Sequence, residues 1–140
     1  MKNYFLLCTL LIFLLCGCDR QKAAVFVSSK PIDAQNFEVY NMRSLFKPGQ
    51  KIYYILLNPK PFLSSKIRLQ ILKVDYKGSF FGVNLIRGRD IEIDKQKQYI
   101  TGDFVIHQNG YYALRIFAND IYECPLAETH FQVDDNEGFN

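Results

Sequence analysis

Three carboxylates occupy alternate positions in Asp90-Ile91-Glu92-Ile93-Asp94. In an extended chain that spacing puts the acids on one side and both isoleucines on the other. Acids so aligned are potential calcium ligands, because that ion takes roughly six to eight oxygens at about 2.3–2.6 Å. A straight strand, however, spreads alternate side chains about 6.6 Å apart, too far for one ion without a bend. Arg87, Arg89, Lys95 and Lys97 also flank the run and can neutralise it. A solvated, self-neutralised face is therefore the simpler expectation, with a small-ligand or calcium site on Asp90, Glu92 and Asp94 as its alternative.

Nucleophilic or zinc chemistry would have to draw on Cys124, His107 and His130, the chain's two imidazoles being His107 and His130. No further His, Cys or acid stands at a recognised zinc-ligand spacing from either histidine. A hydrolase built on Cys124 and His130 would also need an orienting group and an oxyanion hole, for which the sequence has no local signature. Gly78-Ser79-Phe80-Phe81-Gly82 is not a nucleophile elbow, because its serine is misplaced between the glycines. These residues read as ordinary histidines and a structural thiol, and no cofactor is expected.

The paired aromatics offer recognition in place of catalysis. In Tyr53-Tyr54, Phe80-Phe81 and Tyr111-Tyr112 the neighbours must face opposite sides of a strand, so burying one presents the other. If Tyr112 faces inward, Tyr111, Arg115 and Phe117 form an outward stripe. Its composition is that of a protein-binding surface.

The N-terminus bears on location. Lys2 precedes an apolar or weakly polar run from Tyr4 to Cys16, ended by Gly17. The run is shorter than the roughly 20 residues a spanning helix needs. Leu15-Cys16-Gly17-Cys18 resembles the lipobox of bacterial lipoproteins. The resemblance implies cleavage after Gly17, a diacylglyceryl group on the Cys18 thiol, and membrane retention through two or more acyl chains. Asp19 after that cysteine is similar to an inner-membrane retention signal of some enterobacterial lipoproteins. Residues 18–23 then form a short tether. Asp19 to Ala23 reaches at most about 18 Å, so the body stays close to its bilayer. With the leader gone and Cys18 acylated, Cys124 is the remaining thiol and no intrachain disulfide can form.

Those functional residues need a scaffold, and the rest of the chain supplies strand signals. Its 140 residues, 49% hydrophobic and 15% aromatic, suit one folded domain. The 17 basic and 14 acidic residues are interleaved, unlike the clustered basic face of a nucleic-acid binder. Period-two runs predict strands at Ala24–Ser28, Phe37–Asn41, Lys51–Leu57, Lys66–Val74, Phe80–Arg87, Tyr99–Ile106, Tyr111–Phe117 and Thr129–Asp134. Gly- and Pro-containing turns separate many of them, and no amphipathic helix or repeat interrupts. Seven or eight such strands predict an all-β antiparallel sandwich over residues 24–134, with a polar tail at 135–140.

Asn109-Gly110-Tyr111-Tyr112-Ala113-Leu114 resembles the tyrosine corner of immunoglobulin-like domains, which implies that the Tyr112 hydroxyl bonds back to the chain and Leu114 takes a core position. The chain has no Trp and no mature cysteine pair, so the likeness is to disulfide-free sandwiches of the fibronectin type III kind. Phe46-Lys47-Pro48-Gly49-Gln50-Lys51-Ile52 is similar to the start of an early strand in bacterial immunoglobulin-like modules. The expectation is a lipid-anchored, extracytoplasmic, non-enzymatic module on the cell or outer membrane. It would meet another envelope protein through Tyr111, Arg115 and Phe117, with no role for nucleic acid.

Overall fold

The computed structural model describes residues 22–36, 42–77, 80–118 and 124–135. The leader, the anchor position Cys18 and the predicted strand Phe37–Asn41 lie outside them. The described strands are β1 Ala24–Ser28, β2 Leu45–Phe46, β3 Lys51–Leu57, β4 Lys66–Lys77, β5 Phe80–Glu92, β6 Tyr99–Val105, β7 Gly110–Ala118 and β8 Ala127–Val133. They form two sheets, one ordered β1-β3-β6 and the other β2-β8-β7-β4-β5. The result is an all-β immunoglobulin-like sandwich. Every pairing is antiparallel except the short β2, which runs parallel to β8.

The alternation read from the sequence drives this arrangement. In β3, Ile52, Tyr54 and Leu56 face the opposite sheet; in β4, Ile67, Leu69 and Ile71 do so, and in β7, Tyr112, Leu114 and Ile116. A row of rings crosses the core from sheet to sheet. Tyr54 packs on Phe104 at 6.2 Å between centroids, Phe104 on Phe131 at 5.7 Å, and Phe131 stacks on Tyr112 at 5.7 Å. Aromatic contacts of this kind add to the stabilisation from burial alone.

Two glycines are required by the packing. Gly49, at φ 77°, is the third residue of a turn closed by the Gln50 amide donating to the Lys47 carbonyl at 3.1 Å. With Pro48 before it this is the type II pattern, which needs glycine there. Gly102 leaves room for Tyr54, whose hydroxyl oxygen would stand 2.5 Å from any Cβ at that position.

The hairpin of β4 and β5 is longer than the period-two pattern predicts: β4 continues to Lys77 beyond its last partner on β7, and β5 continues past Arg87 to Glu92 opposite Lys66–Gln70. A bulge interrupts their register: Ile71 pairs with Arg87 but Leu72 with Leu85, leaving Ile86 as the extra residue. The bulge shifts the parity of β5. Val83 and Leu85 therefore share the outer face with Gly88, Asp90 and Glu92.

Register also fixes the two poles of the sandwich. Ala24 pairs with Leu57, Leu57 with Tyr99 and Lys66 with Glu92. The chain thus enters β1 at the pole that carries the β3–β4, β5–β6 and β7–β8 connections. The β4–β5 hairpin and the β6–β7 connection lie at the other pole.

Candidate functional site

The outer face of the five-stranded sheet can be read in rows across β5, β4, β7 and β8. Nearest the hairpin is Val83–Val74–Tyr111–Gln132, then Leu85–Leu72–Ala113–His130. Beyond the bulge come Gly88–Gln70–Arg115–Glu128, Asp90–Arg68–Phe117 and finally Glu92–Lys66. The face is thus graded, apolar toward the hairpin and charged toward the pole where the chain enters.

In the apolar rows Leu85 is 57% exposed, Tyr111 50% and Val83 47%, while Leu72 and Ala113 beside them are buried. An apolar area continuous over three strands is unlike the scattered exposed residues of an ordinary surface, and such areas mark interaction sites. It also borders β5, an edge strand carrying a bulge. Bulges are one device by which proteins keep edges from pairing indiscriminately.

The predicted stripe of Tyr111, Arg115 and Phe117 does lie on this outer face, but its members differ in availability. Tyr111 is exposed. Phe117 is not: at 7% exposure it is buried on the outer face, directly opposite Arg68 in the register, which corrects the expectation that it is presented. Arg115 is held in a short ion pair with its cross-strand neighbour Glu128, whose other oxygen lies 2.7 Å from His130 Nε2. The residues that the sequence reading missed are Val83 and Leu85. Their signal was present, as Val83 and Leu85 alternate, but assigning them to the face of Tyr111 required the bulge.

The acidic run behaves as a strand face. Asp90 and Glu92 are exposed on the outer side, and Ile91 and Ile93 pack against the core. Arg68 grips Asp90 with two hydrogen bonds, Nε to Oδ1 at 2.7 Å and a terminal nitrogen to Oδ2 at 3.0 Å. These bonds hold the Asp90 carboxyl below the usual carboxylate range. Glu92 lies 3.8 Å from Lys66, and Asp94 has left the strand to accept the Gln96 amide at 3.0 Å. Among the described residues no group of three His, Cys, Asp or Glu side chains could hold a metal ion. The three acids of the calcium alternative are thus not brought together: Arg68 and Lys66 on β4 pair with Asp90 and Glu92, and Asp94 turns to the Gln96 amide.

Cys124 is an exposed free thiol in the β7–β8 connection. His107 is at the opposite pole, where it lines an open hollow of about 230 Å³ with Arg87 and Tyr112. His130 is engaged by Glu128 in mid-strand. A second hollow, of about 320 Å³, lies at the pole where the chain enters, with largely apolar walls that include Phe62, Leu63, Ile67 and Leu126. Among the described residues no helix is long and apolar enough to cross a membrane.

No known protein family matches this sequence, and no curated protein does. Among solved structures, the soluble domain of PmoD from a Methylocystis species aligns with 80% of this chain and 90% of its own, at 10% identity and a TM-score of 0.49. An immunoglobulin-like protein from Pseudomonas aeruginosa aligns over 81% and 90%, at 15% identity and a TM-score of 0.47. A superoxide reductase from Ignicoccus hospitalis aligns over 84% and 86%, at 11% identity and a TM-score of 0.43. Likenesses this distant assign this chain no activity, ligand or partner.

Proposed function

We infer that this protein is a lipid-anchored envelope module that binds another envelope protein through the outer face of the β4–β5 hairpin. The observation that carries the reading is the pair of apolar rows, Val83–Val74–Tyr111 and Leu85–Leu72–Ala113, continuous over three strands and half exposed at their rim. Tyrosine and large aliphatic side chains at the centre of a patch, with charged rows beside it, match the anatomy of a recognition surface. The charged rows limit where a partner can sit, because covering the Arg115–Glu128–His130 group would cost desolvation without new partners for it.

The lipobox-like Leu15-Cys16-Gly17-Cys18 supports tethering through acyl chains on Cys18. The hairpin lies at the pole away from the point where the chain enters β1, which supports a patch directed to the compartment. The test is cross-linking of the full chain in intact cells, comparing wild type with Leu85→Asp and with Tyr111→Ser. A cross-linked partner lost in both variants, with abundance and melting unchanged, supports the reading. An identical set of adducts in all three overturns the assigned face. Cys18→Ser is expected to release the protein from sedimenting membranes, and continued sedimentation would overturn the anchor.

A further inference from the structure

The pole where the chain enters β1 carries a rigid apolar prong in a basic setting. In the β3–β4 connection, Asn58 to Ser65, the amide of Asn58 donates to the Gln98 carbonyl at 2.7 Å and that of Ile93 to the Ser65 carbonyl at 2.8 Å. The connection is therefore tied down at both ends. Pro59 and Pro61 restrict its backbone. Phe62 is buried and anchors the loop, and the next residue, Leu63, is 96% exposed. A leucine held almost wholly in water by a fixed loop gains nothing from the fold. Beside it opens the apolar hollow of about 320 Å³.

Around this prong the described connecting segments carry exposed Lys22, Lys60, Lys95 and Lys97 and the acid Asp94, while Asp120 and Glu123 of the β7–β8 connection lie outside the described residues; at the strand ends Lys66 and Glu92 offset each other. Lys22 is four residue steps from position 18, so an anchor at Cys18 would keep it within about 14 Å of the lipid surface. Among its described residues the pole therefore combines an apolar tip with an excess of lysines, and an anchor at Cys18 would be close by, as a surface resting on anionic lipid requires.

We propose that this pole docks on the bilayer, with Leu63 inserted at the headgroup boundary and Lys22, Lys60, Lys95 and Lys97 set over anionic phospholipid. The proposal rests on the anchoring reading and adds an orientation to it. The sandwich stands upright, its β4–β5 hairpin pointing away from the membrane.

The experiment uses the full, processed chain reconstituted into vesicles of phosphatidylcholine and phosphatidylglycerol. In a Cys124→Ser background, Leu63→Cys carries an environment-sensitive fluorophore; Leu85→Cys, mid-strand on the outer face of the five-stranded sheet, is the comparison. Both positions are exposed, so labelling removes no core packing. The expected result is blue-shifted emission at position 63, quenched by brominated lipid and lost when phosphatidylglycerol is omitted, with water-like emission at position 85. Sedimentation with vesicles but water-like emission at position 63 overturns the docking and leaves the anchor standing. A blue shift insensitive to brominated lipid means that protein, either a second copy or a partner, covers the loop, which also overturns it. Failure to sediment overturns anchor and docking together.

Discussion

The Tyr112 hydroxyl donates a hydrogen bond to the Gln108 carbonyl at 2.8 Å, across the β6–β7 connection, while its ring stacks on Phe131. One side chain thus fastens a connection to the core. Tyr112→Phe keeps the stack and removes the bond, leaving a part-buried carbonyl without that donor. The expected cost is about 1 kcal/mol, read from the urea midpoint with an unchanged m-value. No loss of stability would mean that water replaces the hydroxyl without penalty.

Gly102 and Tyr54 should behave as a coupled pair. A Cβ at position 102 would meet the Tyr54 ring at 2.7 Å and its oxygen at 2.5 Å, and Tyr54 is buried against Phe104. Gly102→Ala is expected to cost about 1–3 kcal/mol. In a Tyr54→Ala background the same change should cost little, because the obstructing ring is gone. A double-mutant cycle in urea checks this, and strict additivity would refute it.

Phe117 and Tyr111 lie on the same face of β7 yet should differ in what they support. Phe117→Ala empties a buried position and is expected to cost about 3 kcal/mol. Tyr111→Ala should stay within about 0.5 kcal/mol while weakening partner capture. Thermal melts and cross-linking of the two variants separate the roles. Equal destabilisation would mean that Tyr111 is structural.

Asp90 gives a pH signature. Hydrogen bonding to Arg68 is the main cause that lowers its folded pKa, against a smaller opposing effect of desolvation. An aspartate with a depressed folded pKa contributes stability that is fully present above its unfolded value of about 3.9. That contribution disappears as the pH falls through the lower folded value. Arg68→Gln should therefore flatten the acid limb of stability against pH below about pH 4, as read from urea midpoints across a pH series. A limb as steep as that of the wild type would show that Arg68 does not set the titration.

Much of the sandwich was legible because strand alternation is a local property. Ala24–Ser28 and Lys51–Leu57 match the predicted spans residue for residue, and the corner at Tyr112 makes its hydrogen bond back to the chain. The acids of Asp90-Ile91-Glu92 point outward and Ile91 packs inward, as period two requires. Leu45–Phe46 was not legible as a strand, since two residues carry no period and its pairing partner, β8, is more than 80 positions away. The far limits of β4 and β5 escaped for the same reason: where a strand ends depends on how long its partner runs beside it.

The amino-acid order by itself determined the class of fold, the face each strand turns inward, and the lipobox-like run at Cys18, because each depends on neighbours within a few residues. Tertiary structure alone decided which outward-facing residues are available. It buried Phe117, balanced Asp90 with Arg68, and through the bulge at Ile86 brought Val83 and Leu85 onto the face of Tyr111. Exposure and charge pairing are properties of what lies across the sheet, and register sets that between residues distant in the chain.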